Sequence, residues 1–512
     1  MRREVELKLE VPPRAIGRLK RLRALHRNGR TQEKDLVSVY FDTAEHTLRR
    51  HGMSLRVRHI GDKRVQTVKA NGHCAAGLFS RSEWEKRIDG DTPDLRAASR
   101  TALGAVMSRK LARALKPVFE TQVHRTVVPL NGGASRIELT LDRGEVRLGR
   151  RSAPISEVEL ELKRGRPADL FAVARKVAAT VPARFALRSK ADRGYALADG
   201  EPAAAVRAQE ITLDPAMSTG AAFHAIALGC LHHLAANEPA VRGQHAEGVH
   251  QMRVGLRRLR AAIAVFADLL DDDETPRIKA ELKWLTGELG PARDLDVYLT
   301  GNIKPLQRTL PGKRGLEALQ GDLDANRSAA FARASRAVES ARYRALVLDT
   351  LGWIEGGTWT ASDDELIKAR RRRSACDFAR EELTRRLGKV SRKAKRLGKL
   401  DARRRHKLRI GIKKLRYAGD FFATLFAGRK AKKRLRRFAR ELKRLQDRLG
   451  ALNDIAVHQR LAGKYVGGRG RRRQRAFAIG LVSGREQSRI DPLREAAAQA
   501  ADRFAQVRPF WA

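Results

Sequence analysis

The first residues that could do chemistry stand almost at the start of the sequence. Glu4, Glu6 and Lys8 are separated from one another by single apolar residues. In a β-strand, residues two apart lie on one face roughly 7 Å from each other, so these three side chains would share a face. Glutamate packs poorly on a pleated surface. A half-buried strand with one hydrated face would explain this run taken alone.

The same alternation recurs further along the chain, which favours a functional explanation. The residues of one charged face are Glu157, Glu159, Glu161 and Lys163, and shorter runs contribute Glu138 with Asp142 and Arg56 with Arg58. If the sheet curls, these charged rows would converge on a lumen. A lumen with both signs suits a polyanion bound together with a divalent cation, because Lys and Arg bind the anion and carboxylates bind the metal.

The ordered set of motifs resembles the CYTH domain of the triphosphate tunnel metalloenzymes, from residue 1 to about residue 200. The motifs are E-x-E-x-K at Glu4, Tyr40-Phe41-Asp42-Thr43, the Arg56/Arg58 pair, Lys69, Arg125, the E-x-E-x-E-x-K strand at Glu157, and the segment 189–195. The resemblance implies an antiparallel barrel through which inorganic triphosphate is threaded, with Mg²⁺ or Mn²⁺ as cofactor.

The resemblance also implies roles for individual residues. The implied catalytic and phosphate-binding residues are Glu4, Glu6, Lys8, Arg56, Arg58, Lys69, Arg125, Lys163, Lys190 and Arg193. The implied metal ligands are Glu4, Glu6, Glu157, Glu159, Glu161 and Asp142, with Glu138 as a further candidate. The expected reaction is attack of a metal-activated water on a terminal phosphorus, with pyrophosphate leaving. The sequence contains no Walker-type glycine-rich loop, so side chains must bind the phosphates.

The second half of the chain contains an internal repeat of a basic helical block. An H-x-x-R-V-x-x-R-R-L-R block begins at His250, and a related H-x-x-R-I-x-x-K-K-L-R block begins at His406. A second matching pair of segments begins at Leu282 and Leu442. Two copies at nearly the same offset indicate a duplicated helical unit, which we expect to form two related bundles.

Each repeated block predicts a helix with one cationic face. At about 100° per residue, the four basic side chains of each copy fall within roughly 80° of arc. Residues 401–450 contain nineteen Lys or Arg and four Asp or Glu. Most charged faces are simply solvated, but a merely soluble helix mixes signs to avoid repulsion between neighbouring turns. The sequence therefore favours binding of an anion to these faces.

This half resembles the CHAD domain, a helical repeat that binds inorganic polyphosphate, over residues 218 to about 505. The residues that the resemblance assigns to polyphosphate are His250, Arg253, Arg257, Arg260, Arg293, His406, Arg409, Lys413 and Arg416. The copies differ, since Lys413 and Lys414 replace Arg257 and Arg258, and Lys is a point charge whereas Arg is a bidentate fork. The histidines could instead bind a metal, but the surrounding cations favour partly protonated imidazoles in the anion site.

Composition limits the partners. The 512 residues carry a formal net charge of +48, and only 5% are aromatic. The charge predicts polyanionic partners, namely inorganic triphosphate and long-chain polyphosphate. The scarcity of aromatics argues against single-strand binding, and no base-reading motif predicts a specific nucleic acid. No apolar run is long enough to span a membrane.

The expected location is cytoplasmic. The three cysteines are far apart and show neither a disulfide framework nor a zinc motif, so they fit a reducing compartment. We expect no signal peptide, because the first predicted strand starts at residue 2. Binding of polyphosphate would also associate the protein with polyphosphate granules.

The predicted architecture is α+β: an N-terminal antiparallel β-barrel tunnel with flanking helices, followed by an all-α duplicated helical-bundle domain. The predicted boundaries are 1–200 for the tunnel domain, 201–217 for a linker and 218–505 for the helical domain. The predicted function is an inorganic triphosphatase with a polyphosphate-binding domain. The alternatives are a nucleotide cyclase or thiamine triphosphatase on the same tunnel, a non-catalytic protein of polyphosphate granules, and a nucleic-acid-binding protein.

Overall fold

The computed structural model describes residues 2–22, 31–75, 77–132, 135–200, 204–463 and 472–512. The chain divides into two compact units. The first unit comprises Met1–Ala205 together with Glu339–Gly357, and the second comprises Val206–Val338 and Thr358–Ala512. Among the described residues, no helix is both long and apolar enough to cross a lipid bilayer.

The first unit is built on a closed antiparallel sheet. Its strands are β1 Arg2–Glu10, β2 Gln32–Asp42, β3 Ser54–Ile60, β4 Lys63–Ala75, β5 Leu78–Ile88, β6 Lys116–Gly132, β7 Ser135–Leu148, β8 Arg151–Arg164 and β9 Arg184–Phe185. The strand order is β5-β4-β3-β2-β6-β7-β8-β1-β9, and β5 also pairs with β1. That last pairing closes eight strands into a barrel, which removes the exposed sheet edges. The predicted fold class is therefore confirmed for this half.

Alternation along the strands puts apolar side chains outside the barrel and charged ones inside. Leu7, Leu139 and Leu160 are each completely buried, although their neighbours in sequence are charged or polar. The outward faces are covered by the short helices of this unit, which bury the apolar stripe of the sheet. Those helices are α1 Ala15–Lys20, α2 Thr47–Arg50, α3 Leu95–Ala98, α4 Arg109–Ala114, α5 Pro167–Thr180 and α6 Lys190–Asp199.

The local sequence pattern of this unit also predicts separate strands at about 134–142 and 145–150 and a helical segment over 93–116, and both predictions are corrected. Strands expected at 134–142 and 145–150 are one strand, β7, because Gly144 continues the ladder rather than turning. A methyl group at Gly144 would lie 1.9 Å from the carbonyl oxygen of Gln122. The backbone of β6 therefore lies so close to this position that it requires glycine. The helix expected over 93–116 is broken into α3, a 3₁₀ turn at Ala102–Ala105 and α4.

The second unit is helical, as predicted. Its helices, with α13 counted in chain order, are α7 Thr219–Ala235, α8 Glu238–Arg242, α9 Ala246–Val265, α10 Glu274–Tyr298, α11 Lys304–Thr309, α12 Arg314–Glu339, α13 Ala341–Gly356, α14 Thr358–Ala361, α15 Glu365–Arg372, α16 Ala375–Ala394, α17 Ala402–Phe422, α18 Arg429–Gly463, α19 Arg472–Gln487 and α20 Ile490–Ala505. A π-helical turn at Leu299–Ile303 precedes α11. The aligned leucines of the repeat, Leu282 and Leu442, are both completely buried.

Helix α13 belongs to the first unit although it lies within the second half of the sequence. It packs on α5. A methyl group at Gly352 would lie 3.4 Å from the Phe171 side chain, and Arg175 forms an ion pair with Asp349 at 3.4 Å. Trp353 is 2% exposed. The barrel unit is therefore completed by a segment that the sequence places among the basic helices.

Helix α6 is fixed against the barrel by a buried aromatic cluster. Tyr195 donates a hydrogen bond to Asp42 at 2.7 Å, and its ring packs edge-on against Phe119 at 5.1 Å between centroids. The backbone of Gly194 lies directly on the Phe119 ring. Since Lys190 begins this helix, the aromatic cluster determines where the Lys190 ammonium group is placed.

Replacing Gly194 by alanine is expected to destabilise the first unit by about 2 kcal/mol, because overpacked cores typically lose 1–3 kcal/mol. The added methyl would lie 2.1 Å from the Phe119 ring. Thermal unfolding measures the loss. The matched control is Gly17→Ala on α1, where nothing lies within 4 Å of the added methyl. Equal stability of the two variants would contradict the close packing of α6.

Candidate functional site

A cavity of about 490 Å³ lies in the first unit and is lined almost entirely by charged and polar side chains. Its charged lining consists of Lys8, Lys34, Arg56, Arg58, Lys69, Arg81, Arg125, Lys163 and Lys190 with Glu6, Glu83, Glu85, Glu138, Glu159 and Glu161. Nine cations thus face six carboxylates among the described residues. Such a lining indicates an anionic ligand, because net positive charge in a low-dielectric cavity concentrates anions.

The register of the barrel explains why the carboxylates meet. Glu6 on β1 is paired with Glu161 on β8, which is paired with Glu138 on β7. Two residues further along β1, Lys8 is paired with Glu159 on β8. Glu6 on β1 and Glu159 and Glu161 on β8 therefore belong to one inner surface of the barrel, since every second residue points inward.

Lys190 lies at the centre of the most deeply buried carboxylates. Its Nζ atom contacts Asp142 at 2.7 Å and Glu159 at 2.9 Å, and it also donates to Glu157. Burial acts to lower the pKa of Lys190, but the three carboxylates outweigh it and raise that pKa above its usual value. Lys190 therefore stays protonated and neutralises charge that would otherwise be too costly to bury.

Arg125 joins the same network from β6. It donates two hydrogen bonds to Asp142, at 2.7 and 2.6 Å, and a third to Glu159 at 2.6 Å. Although burial opposes ionisation of Glu159, the pKa of this carboxyl lies well below its usual range because Lys190, Lys8 and Arg125 surround it. Glu159 is consequently a fixed anion in the cavity wall.

The carboxylates fit a hard divalent cation. One oxygen from each of Asp142, Glu157 and Glu159 lies within 4.8 Å of the others, and Mg²⁺ and Mn²⁺ prefer carboxylate oxygens. Asp142 and Glu157 do not line the cavity, however, and both already accept hydrogen bonds from cationic side chains. Glu159 is the member of this trio that faces the cavity.

Glu6 is the carboxylate on β1 that faces the cavity. It accepts a hydrogen bond from Arg81 at 2.6 Å and lies 3.3 Å from Lys8. Burial acts to raise its pKa, but Lys8 and Arg81 prevail and lower the pKa to about 2. Glu6 is therefore ionised at any pH at which the protein would work and can accept a metal without losing a proton.

Arg58 is a cation without an acidic partner among the described residues. Its Nε donates to Ser38 at 3.1 Å. Burial, together with the like charges of Arg56 and Arg125, lowers the pKa of Arg58 to about 9. An arginine with so low a pKa would be stabilised by a bound anion, so this wall of the cavity could hold an anionic group.

The remaining predicted site residues are placed as follows. Lys163 forms ion pairs with Glu161 at 2.5 Å and Glu138 at 3.5 Å, at the cavity wall. Arg193 contacts Glu10 at 2.6 Å and Glu157 at 3.3 Å and does not line the cavity. The backbone of Glu4 lies in β1, but its side chain is outside the described residues.

Sequence reasoning assigned no role to several residues that line the cavity. These are Lys34, Tyr40, Ser54, Thr67, Arg81, Glu83, Glu85 and Thr140. The sequence did contain a pattern that predicts four of these positions. Arg81, Glu83 and Glu85 alternate along β5, and Lys34 lies on β2 an even number of residues from Ser38 and Tyr40, so it shares their face. The ion pair of Lys69 with Glu83, 3.0 Å long, could not be anticipated without the register.

The second unit brings the two repeated basic blocks together. We call Arg253, Arg257, Arg409 and Lys413 the inter-repeat cluster. Helices α9 and α17, which carry these residues, pack against each other. Burial has the largest effect on the pKa of Arg409 and of Lys413 and lowers both values, and the charge of Arg257 lowers both as well. The positive charges of the two copies therefore act on one another. Cations of the two copies thus lie near one another in the second unit.

The two copies repeat one polar contact. Arg253 lies 3.6 Å from Asp294, and Arg409 lies 3.9 Å from Asp454. The Nε atoms of both arginines are buried without a hydrogen-bond partner. Burial and the neighbouring cations Arg409 and Arg257 lower the pKa of Lys413 to about 8. These features indicate cations that a ligand would stabilise.

The other predicted residues surround this cluster. Burial and nearby Arg293 lower the pKa of His250, while the His406 ring hydrogen-bonds to Asn453 at 2.7 Å. Arg260 is exposed and donates to Thr286 at 3.5 Å. Arg293 lies 3.2 Å from Asp296. The lowered pKa of His250 favours the neutral imidazole over the partly protonated one expected from the sequence.

Two family models match this chain. The CYTH domain model matches residues 2–195, and the CHAD domain model matches residues 225–463. The chain is 33% identical over 199 residues to an inorganic triphosphatase of Haemophilus influenzae, and the match covers 38% of this chain and 55% of that protein. The chain therefore spans about half the length of this curated relative.

Solved structures match as well. The crystal structure of the CHAD domain from the plant Ricinus communis is 31% identical, with a TM-score of 0.51, over 60% of this chain and 98% of that chain. PptA from Streptomyces chartreusis matches at 18% identity and a TM-score of 0.41, over 56% of this chain and 99% of that chain. The second similarity is too low to support any argument.

Proposed function

The chain belongs to the CHAD family and joins that domain to a CYTH domain, and from this premise we propose that it is a metal-dependent hydrolase of inorganic triphosphate. The observation that carries the proposal is the cavity in which nine cations and six carboxylates face one another. The relative of 33% identity, which is an inorganic triphosphatase, supports it. Only a small, highly charged anion that binds with a metal would use both signs at once.

The lining favours inorganic triphosphate over a nucleotide. Its apolar residues are Ile60, Val65 and Ala191, and its one aromatic ring is that of Tyr40. One face of the Tyr40 ring stacks on Phe119 at 4.7 Å between centroids, and its hydroxyl accepts a hydrogen bond from Arg56 at 3.4 Å. The described lining offers no second ring on which a purine or thiamine could stack.

We assign roles to the residues of the cavity. Arg56, Arg58, Lys69, Arg81 and Lys8 would hold the phosphate oxygens and stabilise the charge that spreads over them in the transition state. Glu6, Glu159 and Glu161, with Glu138 beside them, would hold Mg²⁺ or Mn²⁺. When bound, that ion would supply Lewis acidity and lower the pKa of a coordinated water.

The buried residues behind the wall act through their neighbours. Asp142 and Glu157 hold Lys190, Arg125 and Arg193 by ion pairs. Lys190 and Arg125 in turn hold the Glu159 carboxylate in one orientation. We therefore propose that Asp142 and Glu157 are positioning residues, whereas the sequence resemblance implied direct metal coordination.

The test is phosphate release by the purified protein from tripolyphosphate, ATP, thiamine triphosphate and long-chain polyphosphate. Each substrate is offered with Mg²⁺, with Mn²⁺ and with a chelator. The expected result is metal-dependent release from tripolyphosphate and little from the other three. Pyrophosphate release from ATP would favour a nucleotide cyclase. Preferential hydrolysis of thiamine triphosphate would favour a thiamine triphosphatase. No turnover of any substrate would overturn the proposal.

We further propose that the inter-repeat cluster binds long-chain polyphosphate. The supporting observation is that cations from both copies converge although like charges repel, and that burial lowers their pKa values. A polyanion would offset this repulsion. The triphosphatase and the polyphosphate site lie in different units, so each can be tested without the other.

Polyphosphate affinity is expected to fall as the pH rises above about 8. Lys413 has a pKa of about 8 in the free protein because it is partly buried beside Arg409 and Arg257. A bound anion favours the protonated amine, so binding takes up a proton once Lys413 is neutral, and affinity drops by up to about tenfold per pH unit. Titrations between pH 7 and 10 measure the effect. Lys413→Arg is the matched control, since it stays charged; an equally steep decline in that variant would contradict the assignment.

A further inference from the structure

The outer face of α18 carries a second concentration of positive charge. We call its members the α18 strip: Arg429, Lys430, Lys432, Lys433, Arg436, Arg437, Arg440, Lys443, Arg444 and Arg448. All ten are exposed. At about 100° per residue they occupy roughly 160° of the helix surface, and at 1.5 Å per residue they extend over about 28 Å. The opposite side of the helix is buried through Phe438, Leu442 and Leu445.

Most of the α18 strip has no acidic partner. Arg440 and Arg444 contact Glu441 at 3.0 and 3.1 Å, and Lys443 contacts Asp447 at 2.7 Å. The other seven cations form no ion pair among the described residues. Adjacent turns of a helix that carry like charges destabilise it by a few tenths of a kcal/mol per pair. The strip is therefore maintained at a cost in helix stability.

The fold itself does not require these cations. Helix α10 is the counterpart of α18 in the other repeat, and the alignment that matches Leu282 with Leu442 also matches other pairs of positions. Arg440 corresponds to Ala280, Arg444 to Trp284 and Arg448 to Glu288. Both helices bury the aligned leucines completely or nearly so. Only Arg437 and Lys443 keep a cation in α10, at Arg277 and Lys283. One copy thus packs the same core without most of the strip, which indicates that the strip serves function rather than folding.

We propose that the α18 strip binds duplex nucleic acid through its phosphates, without reading the sequence, which is a binding activity beyond the hydrolase and the polyphosphate site. The strip is a convex, exposed helix face, and a helix 10–12 Å across fits the major groove of B-DNA, about 12 Å wide. Lysine and arginine neutralise the backbone phosphates on either side.

Other polyanions fit the strip less well. A single strand is usually held by aromatic platforms, and the ten positions of the strip include no aromatic residue. Interfacial membrane helices insert an apolar face, whereas the apolar face of α18 is packed in the core. A thin polyphosphate chain is better enclosed by the half-buried inter-repeat cluster.

The experiment compares two ligands on two surfaces. A labelled 20-base-pair DNA duplex of arbitrary sequence and long-chain polyphosphate are each titrated with the full-length protein at several salt concentrations. In the strip variant, Lys432, Lys433, Arg436 and Arg437 are changed to glutamine, which keeps helix propensity. We expect duplex affinity to fall at least tenfold near 0.1 M salt. The slope of log affinity against log salt should decrease by up to about 3.6, at roughly 0.9 for each of the four lost phosphate contacts.

The matched control removes the same number of charges from the other surface. In the cluster variant, Arg253, Arg257, Arg409 and Lys413 become alanine, and duplex affinity should change less than twofold while polyphosphate affinity falls. The strip variant should retain polyphosphate affinity, which also shows that it is folded. The proposal is overturned if the wild type does not bind the duplex near 0.1 M salt, if the strip variant binds it unchanged, or if both variants lose both ligands equally.

Discussion

Replacing Glu159 by glutamine is expected to reduce metal-dependent phosphate release at least about 100-fold, the size of effect seen when one fixed charge partner is lost from a preorganised site. Glu159 lines the cavity and accepts hydrogen bonds from Lys8, Lys190 and Arg125. The amide would be a poor metal ligand, and its NH₂ group would point at cations. Initial rates on tripolyphosphate, measured across Mg²⁺ and Mn²⁺ concentrations, give the result.

Two further variants make the Glu159 result interpretable. Glu145→Gln is the matched control, because Glu145 pairs with Arg147 away from the cavity and should leave the rate unchanged. If the Glu159 variant melts well below the wild type, Glu161→Gln takes its place, since Glu161 faces the cavity and is only partly buried. Full activity in both cavity variants would rule out the assignment of these carboxylates to the metal.

The combined change of Arg253, Arg257, Arg409 and Lys413 to alanine is expected to weaken long-chain polyphosphate binding at least about 30-fold near 0.1 M salt. Each lost contact with a flexible polyanion lowers the salt slope by roughly 0.7, so the slope should fall by about 3. Triphosphate hydrolysis should continue, because these residues lie in the second unit and the cavity lies in the first. Fluorescence titration and phosphate release measure the two outcomes separately.

The control for this variant removes the same number of positive charges from other positions. It replaces four exposed cations of the second unit that lie outside the inter-repeat cluster, namely Lys304, Arg308, Lys313 and Arg314. Their loss should reduce affinity only slightly, since distant exposed charges are screened at this salt concentration. If the control weakens binding as much as the cluster variant does, overall charge rather than the convergent site explains the affinity.

Local sequence patterns were sufficient for the fold class and for much of the cavity. Alternation decides which face of a strand a residue occupies, because the side-chain period of a strand is 2. Glu6, Lys8, Glu159 and Arg58 could therefore be assigned to the inner face before any strand was paired. The repeated H-x-x-R blocks likewise predicted cationic faces on α9 and α17, because helical periodicity is equally local.

Strand pairing and helix packing decided what the sequence left open. The sequence placed Glu157 beside Glu159 on one face, but only the packing of α6 against the barrel shows that Lys190 and Arg193 bind Glu157, which does not line the cavity. The same applies to Arg81, whose contact with Glu6 joins residues 75 positions apart. Such contacts depend on how a closed barrel staggers its strands, which no local window of sequence contains.

The sequence by itself determined the two kinds of domain, the charged inner face of the barrel and the basic faces of the repeat, because periodicity and composition act within a few residues. The tertiary structure alone decided three further matters: that α13 completes the barrel unit, that the two basic blocks form one cluster, and that Asp142 supports Lys190 and Arg125. The physical reason is that burial and Coulomb interactions depend on distance in space, and residues far apart in the chain acquire that distance only on folding.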